Sequence, residues 1–126
     1  MRGKLLAVPV LAVTVTAGLV AGADAATDAS TTVTIKAEGT DLSGLVKSSK
    51  PKLCAKNREV IVIKQKGARG GGDDVRFASD TASLQGGVYA WSTGNTGTEG
   101  KFFARVRHVP GCKAATSPTI VAKRNP

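Results

Sequence analysis

The sequence predicts an all-β protein, a seven-stranded β-sandwich that follows an N-terminal signal peptide. Three observations predict this fold class. Short runs of alternating apolar and polar residues, or of consecutive β-branched residues, recur along the chain after residue 31. Stretches rich in Gly, Asp, Asn and Ser separate these runs and are typical of turns. No sustained helical periodicity follows residue 25, so the strands must bury their apolar faces against one another.

The first 25 residues have the layout of a secretory signal peptide. Arg2 and Lys4 precede an apolar run that continues to Val20, and Ala23-Asp24-Ala25 supplies a small-residue cleavage site. The alternative is a membrane anchor, because the apolar run approaches the length of a spanning helix. Small residues lower the hydrophobicity of the run and no basic cluster follows it, which favours cleavage. We therefore expect an exported protein, extracellular or loosely associated with the cell envelope, without a second membrane segment.

The first half of the mature chain contains three predicted strands. Residues 26–31 are small and polar and predict a flexible lead-in, and 32–123 form one β-sandwich domain. In 32–37 apolar and polar side chains alternate, which indicates a half-buried strand. A second short strand is predicted at 44–48. In 59–66 four consecutive β-branched residues favour a central strand that is covered on both faces.

The second half contains the other four predicted strands. The glycine-rich segment 68–74 indicates an exposed turn before a strand at 75–79. The strand at 101–109 alternates strictly, with Phe102, Ala104 and Val106 on one face and Phe103, Arg105 and Arg107 on the other. The remaining predicted strands are 88–93 and 118–123.

Two cysteines, Cys54 and Cys112, lie in the exported part of the chain. An even number of cysteines in an oxidising compartment predicts a disulfide, and the alternative is a pair of free thiols. Cys54 lies six residues before Val60, and Cys112 lies six residues after Val106. In an immunoglobulin-like arrangement the third and sixth strands are antiparallel neighbours, so the start of one meets the end of the other.

A disulfide at that end also predicts the register of the two strands. Paired positions should have residue numbers that sum to 166, as 54 and 112 do. Val60 should then lie opposite Val106, and Val62 opposite Ala104. The bridge would hold strand ends within one sheet rather than cross between two sheets.

The formal net charge is +9 for the whole chain. Removal of a peptide that carries Arg2, Lys4 and Asp24 leaves +8 on the mature domain. Such an excess favours anionic partners, such as cell-wall polymers, acidic lipids, polysaccharides or nucleic acid. It is equally consistent with solubility alone, since net charge keeps small domains apart.

A disulfide would gather several basic residues at one pole of the sandwich. This pole has two interpretations, a solvated surface without a partner or a site that binds an anionic cell-envelope polymer or polysaccharide. Nucleic acid is the less favoured partner because the protein is expected to be exported and offers few aromatic rings. The candidate polyanion-binding residues are Lys47, Lys50, Lys52, Lys56, Arg107 and Lys113.

The sequence contains little catalytic or metal-binding chemistry. His108 is the only histidine and is expected to be a partly covered structural residue. No G-x-S-x-G segment supports a serine nucleophile. Asp73, Asp74 and Asp80 lack the spacing of a calcium loop. The sequence therefore predicts no enzyme activity, metal or cofactor, and the alternative is a small exported enzyme or enzyme inhibitor that acts through loops at one end.

One repeated sequence pattern resembles a known protein family. Gly87-x-Tyr89-x-Trp91 is followed by Gly100-x-Phe102-x-Ala104-x-Val106, and this pattern resembles the carboxypeptidase-regulatory-like domain, a transthyretin-like β-sandwich. Gly44-Leu45-Val46 and Val60-Ile61-Val62 resemble earlier strands of that family, so the likeness covers 32–123. The chain is also similar to small, secreted, single-disulfide proteins of high-GC Gram-positive bacteria. The resemblance implies a non-catalytic accessory or adhesive module, since the family's carboxypeptidases bear their zinc site on another domain.

Overall fold

The structure, a computed structural model, describes residues 27–125 and consists of two antiparallel β-sheets with a shared core. The expected signal peptide, 1–25, lies outside the described residues. Within them no helix is long and apolar enough to cross a bilayer. The elements are β1 (Thr31–Val33), β2 (Lys36–Glu38), β3 (Asp41–Ser48), α1 (Pro51–Cys54), β4 (Glu59–Gln65), β5 (Val75–Thr81), β6 (Ser83–Gln85), β7 (Val88–Asn95), β8 (Gly100–Val106), β9 (Ala115–Thr116) and β10 (Ile120–Ala122).

The predicted all-β sandwich is confirmed. Sheet one has the strand order β1-β3-β7-β6, and β2 pairs with β3 beyond the end of β1. Sheet two has the order β10-β8-β4-β5, and β9 pairs with β8. Trp91, Leu42 and Val46 from sheet one meet Phe102 and Val62 from sheet two in the largest cluster of buried side chains. That cluster is the core between the sheets.

The predicted register of the two central strands of sheet two is confirmed. Val62 lies opposite Ala104, and Ile63 opposite Phe103, so both pairs sum to 166. Val62 belongs to the core between the sheets, whereas Ile61 and Ile63 pack with Phe103 in a separate buried cluster. Strand β4 is therefore covered on both faces, as its run of β-branched residues predicts.

The predicted number of strands is wrong, because the described residues form ten strands rather than seven. The predicted first strand divides into β1 and β2 at Thr34, whose carbonyl oxygen accepts a hydrogen bond from Trp91 Nε1 at 3.1 Å. Gly44 makes this approach possible, since a Cβ at that position would stand 1.9 Å from the Thr34 oxygen. The strand is interrupted where a backbone carbonyl satisfies the buried indole.

Strands β6 and β9 are the other two strands that the sequence did not predict. Gly86 and Gly87, with φ of 57° and 86°, form a two-residue turn that pairs β6 with β7. Positive φ at both central positions fits a type I′ turn, for which a Gly-Gly pair is well suited. Strand β9 has only two residues, too few to show an alternating pattern.

Candidate anion-binding pole

The disulfide and the segments it joins form one end of the sandwich, which we call the disulfide pole (residues 47–56 and 107–114). The predicted bond between Cys54 and Cys112 is confirmed, with Cα atoms 5.5 Å apart and both residues fully buried. Cys54 ends α1, and Cys112 lies in the loop that follows β8. The bond thus connects the segment before β4 to the segment after β8, the two neighbouring strands of sheet two.

The end of the expected flexible lead-in is held at this pole. The Ala29 N–H donates to the Gly111 carbonyl at 2.8 Å, and the Ala29 carbonyl accepts from the Lys113 N–H at 3.0 Å. Ala29 is buried and packs with the two cysteines. The segment from Ala29 onward is therefore anchored beside the disulfide, and β1 begins at Thr31.

The buried side chain of Arg58 connects three backbone segments of the disulfide pole through hydrogen bonds. Its guanidinium donates to the carbonyls of Cys54 at 2.8 Å, Arg107 at 2.6 Å and Lys113 at 2.9 Å. The residue is only 5% exposed, and burial lowers the pKa of this guanidinium from its ordinary value. No carboxylate of the described residues pairs with it. Arg58 therefore fixes three backbone segments of the pole at the cost of a buried charge.

A groove lies on the surface of this pole, between α1 and the β6–β7 hairpin. This open groove has a volume of about 560 Å³, and its lining combines two lysines with apolar side chains. Leu53 and Leu84 are 56% and 62% exposed, which is high for large apolar residues. No acidic residue lines it. We call it the lysine groove; its lining residues are Lys50, Pro51, Lys52, Leu53, Leu84, Gly87 and Tyr89.

The structure brings most of the predicted basic residues to one end of the molecule. Lys50 and Lys52 line the groove, and Lys47, Lys56 and Lys113 are exposed on segments of the same pole. Arg107 belongs to the same pole, but it differs from the lysines because it forms an ion pair. Its guanidinium lies 2.9 Å from a carboxylate oxygen of Glu59, the first residue of β4.

Sequence reasoning found the lysines but missed the residues that give the pole its shape. Arg58 was not singled out because an arginine before a strand is ordinarily solvated. Leu53 and Leu84 were missed because they lie in two elements that meet only in three dimensions. The available signal for Leu84 was the Gly86-Gly87 pair, which predicts a hairpin.

His108 lies at the edge of the pole and is more exposed than expected. Its side chain is 60% exposed, and Nε2 lies 3.1 Å from an Asp28 carboxylate oxygen. The shallow cavity beside it is lined by Glu59, Arg107, His108 and Val109, and so contains no serine, threonine or cysteine. The ring has a carboxylate partner but no nucleophile within this cavity.

Two of the three aspartates near the glycine-rich segment, Asp74 and Asp80, accept hydrogen bonds from the backbone. Asp74 accepts hydrogen bonds from the N–H groups of Lys66 and Gly70, at 3.2 and 2.9 Å, and so closes the glycine-rich loop. Asp80 accepts from the Ser92 N–H at 2.8 Å. Between residues 27 and 125, no three His, Cys, Asp or Glu side chains are placed to share a metal ion.

The sequence matches no protein-family model and no curated relative. The resemblance to the carboxypeptidase-regulatory-like domain accordingly stays a prediction.

Proposed function

We propose that this chain is a secreted, non-enzymatic binding module that holds an acidic polysaccharide of the cell envelope in the lysine groove. The observation that carries this proposal is the placement of Lys50 and Lys52 beside Leu53, Leu84 and Tyr89 in one shallow groove. Each class of side chain matches one part of an acidic sugar chain.

The ammonium groups supply the electrostatic part of recognition. A lysine ammonium is a mobile point charge that pairs with carboxylates without demanding one geometry. With no acidic residue in the lining, a bound carboxylate would meet no repulsion. Three further lysines at the pole (Lys47, Lys56 and Lys113) extend the positive potential around the groove.

The apolar side chains supply the contact surface. Leu53 and Leu84 are large apolar residues, and each exposes more than half of its surface area to solvent. Contiguous exposed apolar area rimmed by polar residues marks interaction sites. The C–H faces of sugar rings are suitable partners for such side chains and for the partly buried Tyr89.

We also propose that the sandwich is of the immunoglobulin-like type. Its strand orders, β1-β3-β7-β6 and β10-β8-β4, correspond to the A-B-E-D and G-F-C orders of that architecture. The buried disulfide supports folding in an oxidising compartment and hence secretion. In such modules the loops at one end of the sandwich bind ligands, and the lysine groove lies at one end.

Retention on immobilised polygalacturonate tests the proposal. Lys50→Glu with Lys52→Glu should weaken binding at least about tenfold, because two attractive contacts become repulsive. Lys66→Glu with Lys123→Glu makes the same change of net charge near the opposite end of the sandwich and should have a small effect. Wild-type retention should fall steeply with added salt.

The apolar contacts have their own test. Leu53→Asn with Leu84→Asn keeps every charge and should also weaken retention several-fold, because it removes apolar contact. Equal losses in the two lysine pairs would mean that only net charge matters, which would refute the groove as the site. Unchanged retention of the leucine variant would refute the sugar-contact role.

A further inference from the structure

The outer face of sheet two has a positively charged surface that is separate from the lysine groove. The core-facing side chains of β8 are Phe102, Ala104 and Val106, so Lys101 and Arg105 lie on the opposite, outer face. Both are exposed, and neither side chain forms a hydrogen bond or ion pair with another described residue. The face thus offers cations without internal partners.

Three more guanidinium groups lie on or beside this face. Arg76 of β5 is paired in register with Ile63, a residue of the outer cluster, and so shares its face. Arg107 directly follows β8 and continues the alternation of side chains, so it lies on the same face as Arg105. Arg69 lies over the Phe103 ring, 4.1 Å from its centroid. We call the set the arginine face; its members are Arg69, Arg76, Lys101, Arg105 and Arg107.

The backbone of β8 arranges these charges in a line. Alternate residues of a strand lie about 7 Å apart on one face. Lys101, Phe103 with Arg69 stacked on it, Arg105 and Arg107 are therefore evenly spaced along β8. A row of cations at regular intervals fits a linear polymer with a regular negative charge better than a single small anion.

The type of cation favours phosphate. Four of the five side chains are arginines, whose planar guanidinium presents paired donors that match the oxygens of a phosphate. In the lysine groove both cations are lysines. The two surfaces thus differ in chemistry as well as in position.

The burial of the Phe103 ring argues against nucleic acid as the ligand of the arginine face. Phe103 is only 7% exposed and is covered by Arg69, whose guanidinium also donates to the Ser117 carbonyl. Phe77 packs against Phe102, a residue of the core between the sheets, with centroids 5.0 Å apart. Single-strand binders gain much of their affinity from bases that stack on exposed rings, and this face offers none.

We propose that the arginine face binds a linear phosphodiester polymer without bases, a poly(polyol phosphate) chain. The one acidic side chain that the strand register places on this face is Glu59. Its carboxylate contacts Arg107 at 2.9 Å and Arg76 at 3.4 Å and is 46% exposed. A phosphate that binds either arginine competes with the negative charge of Glu59, so Glu59 lowers the affinity of the face.

Equilibrium titration with a fluorescently labelled glycerol phosphate oligomer tests this assignment. Lys101→Gln with Arg105→Gln should weaken binding about tenfold or more. Glu59→Gln should strengthen it several-fold, because two guanidinium groups lose their internal partner. Lys36→Gln, the loss of a charge on sheet one outside both surfaces, should leave the Kd within about twofold.

Two further arms identify the ligand class and separate this proposal from the lysine groove. Arg105→Lys keeps the charge but loses the paired donors, and should weaken binding of the phosphate oligomer while polygalacturonate binding is unchanged. Lys50→Glu with Lys52→Glu should affect polygalacturonate alone. Thermal melts of each variant show whether the fold is intact.

Three results would overturn the inference. One is a Kd for the Lys101, Arg105 double variant that matches the wild type. Another is weaker binding of the Glu59→Gln protein. The third is an oligothymidylate that binds more tightly than the glycerol phosphate oligomer, which would identify the face as a nucleic-acid site.

Discussion

Replacement of Arg58 by methionine should destabilise the protein more than any other single change of a basic residue in the described chain. Methionine keeps much of the volume of the arginine side chain but removes the donors that reach Cys54, Arg107 and Lys113. Exchange of a buried ion pair for apolar residues is often harmless, because both partners are replaced. Here the acceptors are backbone carbonyls, which stay in place after the substitution.

The magnitude follows from the three bonds and from the burial of their donor. Hydrogen bonds to a charged group contribute about 1.5–3 kcal/mol each, and a buried acceptor left without a donor costs about 1–3 kcal/mol. Relief of the buried charge of Arg58 offsets several kcal/mol of this loss. We expect the free energy of unfolding to fall by about 3 kcal/mol, a large share of the roughly 5–15 kcal/mol typical of a domain.

Urea unfolding of the oxidised protein, followed by tryptophan fluorescence, measures this loss. Arg107→Met is the matched control, because that guanidinium is 62% exposed and its ion pair with Glu59 is solvated. It should change the free energy of unfolding by less than about 1 kcal/mol. Equal effects of the two substitutions, or an Arg58→Met protein as stable as the wild type, would refute the role assigned to the buried guanidinium.

The remaining predictions concern the disulfide and a crowded glycine. Cys54→Ala with Cys112→Ala releases a loop with a sequence separation of 58 and should lower the free energy of unfolding by about 4 kcal/mol, measured by the same urea titration. A loss below about 1 kcal/mol would mean that strand pairing alone holds the pole. Gly44→Ala places a Cβ 1.9 Å from the Thr34 oxygen and should lower stability by about 2–3 kcal/mol in thermal melts. Gly70→Ala, which meets open space at φ 76°, should cost only about 1 kcal/mol, and the reverse order would contradict the packing argument.

The features of the fold that could be predicted are those with a local or symmetric cause. The β-branched run at Val60–Ile63 indicated a strand covered on both faces, and the structure shows this. The 166 register followed from a disulfide that joins two antiparallel strands at equal distances from their ends. Neither inference needed knowledge of distant contacts beyond the cysteine pair.

The features that could not be predicted depend on contacts between segments far apart in the chain. The break after β1 exists because the Trp91 indole needs an acceptor, and Thr34 supplies it from 57 residues away. The role of Arg58 depends on three carbonyls that only the folded pole brings together. In the candidate site, Lys50 and Lys52 were recognised by charge, whereas Leu84 and Tyr89 reach the groove from the distant β6–β7 hairpin.

The distribution of acidic side chains bears on whether the charge of +8 serves binding or solubility. Asp24 is the only acidic residue before residue 27, so eight lie in the described chain. Five of them bond to a backbone N–H or to a basic side chain: Asp28, Glu59, Asp74, Asp80 and Glu99.

A surface that is merely soluble intersperses charges of both signs. In this molecule most carboxylates of the described residues are held in structural contacts, the lysine groove contains none, and the strands of the arginine face place only Glu59 on it. The lysines of the disulfide pole and the side chains of Lys101 and Arg105 form no ion pair with any described residue. Both proposed surfaces therefore carry unpaired cations beside few carboxylates, which supports the anion binding proposed above.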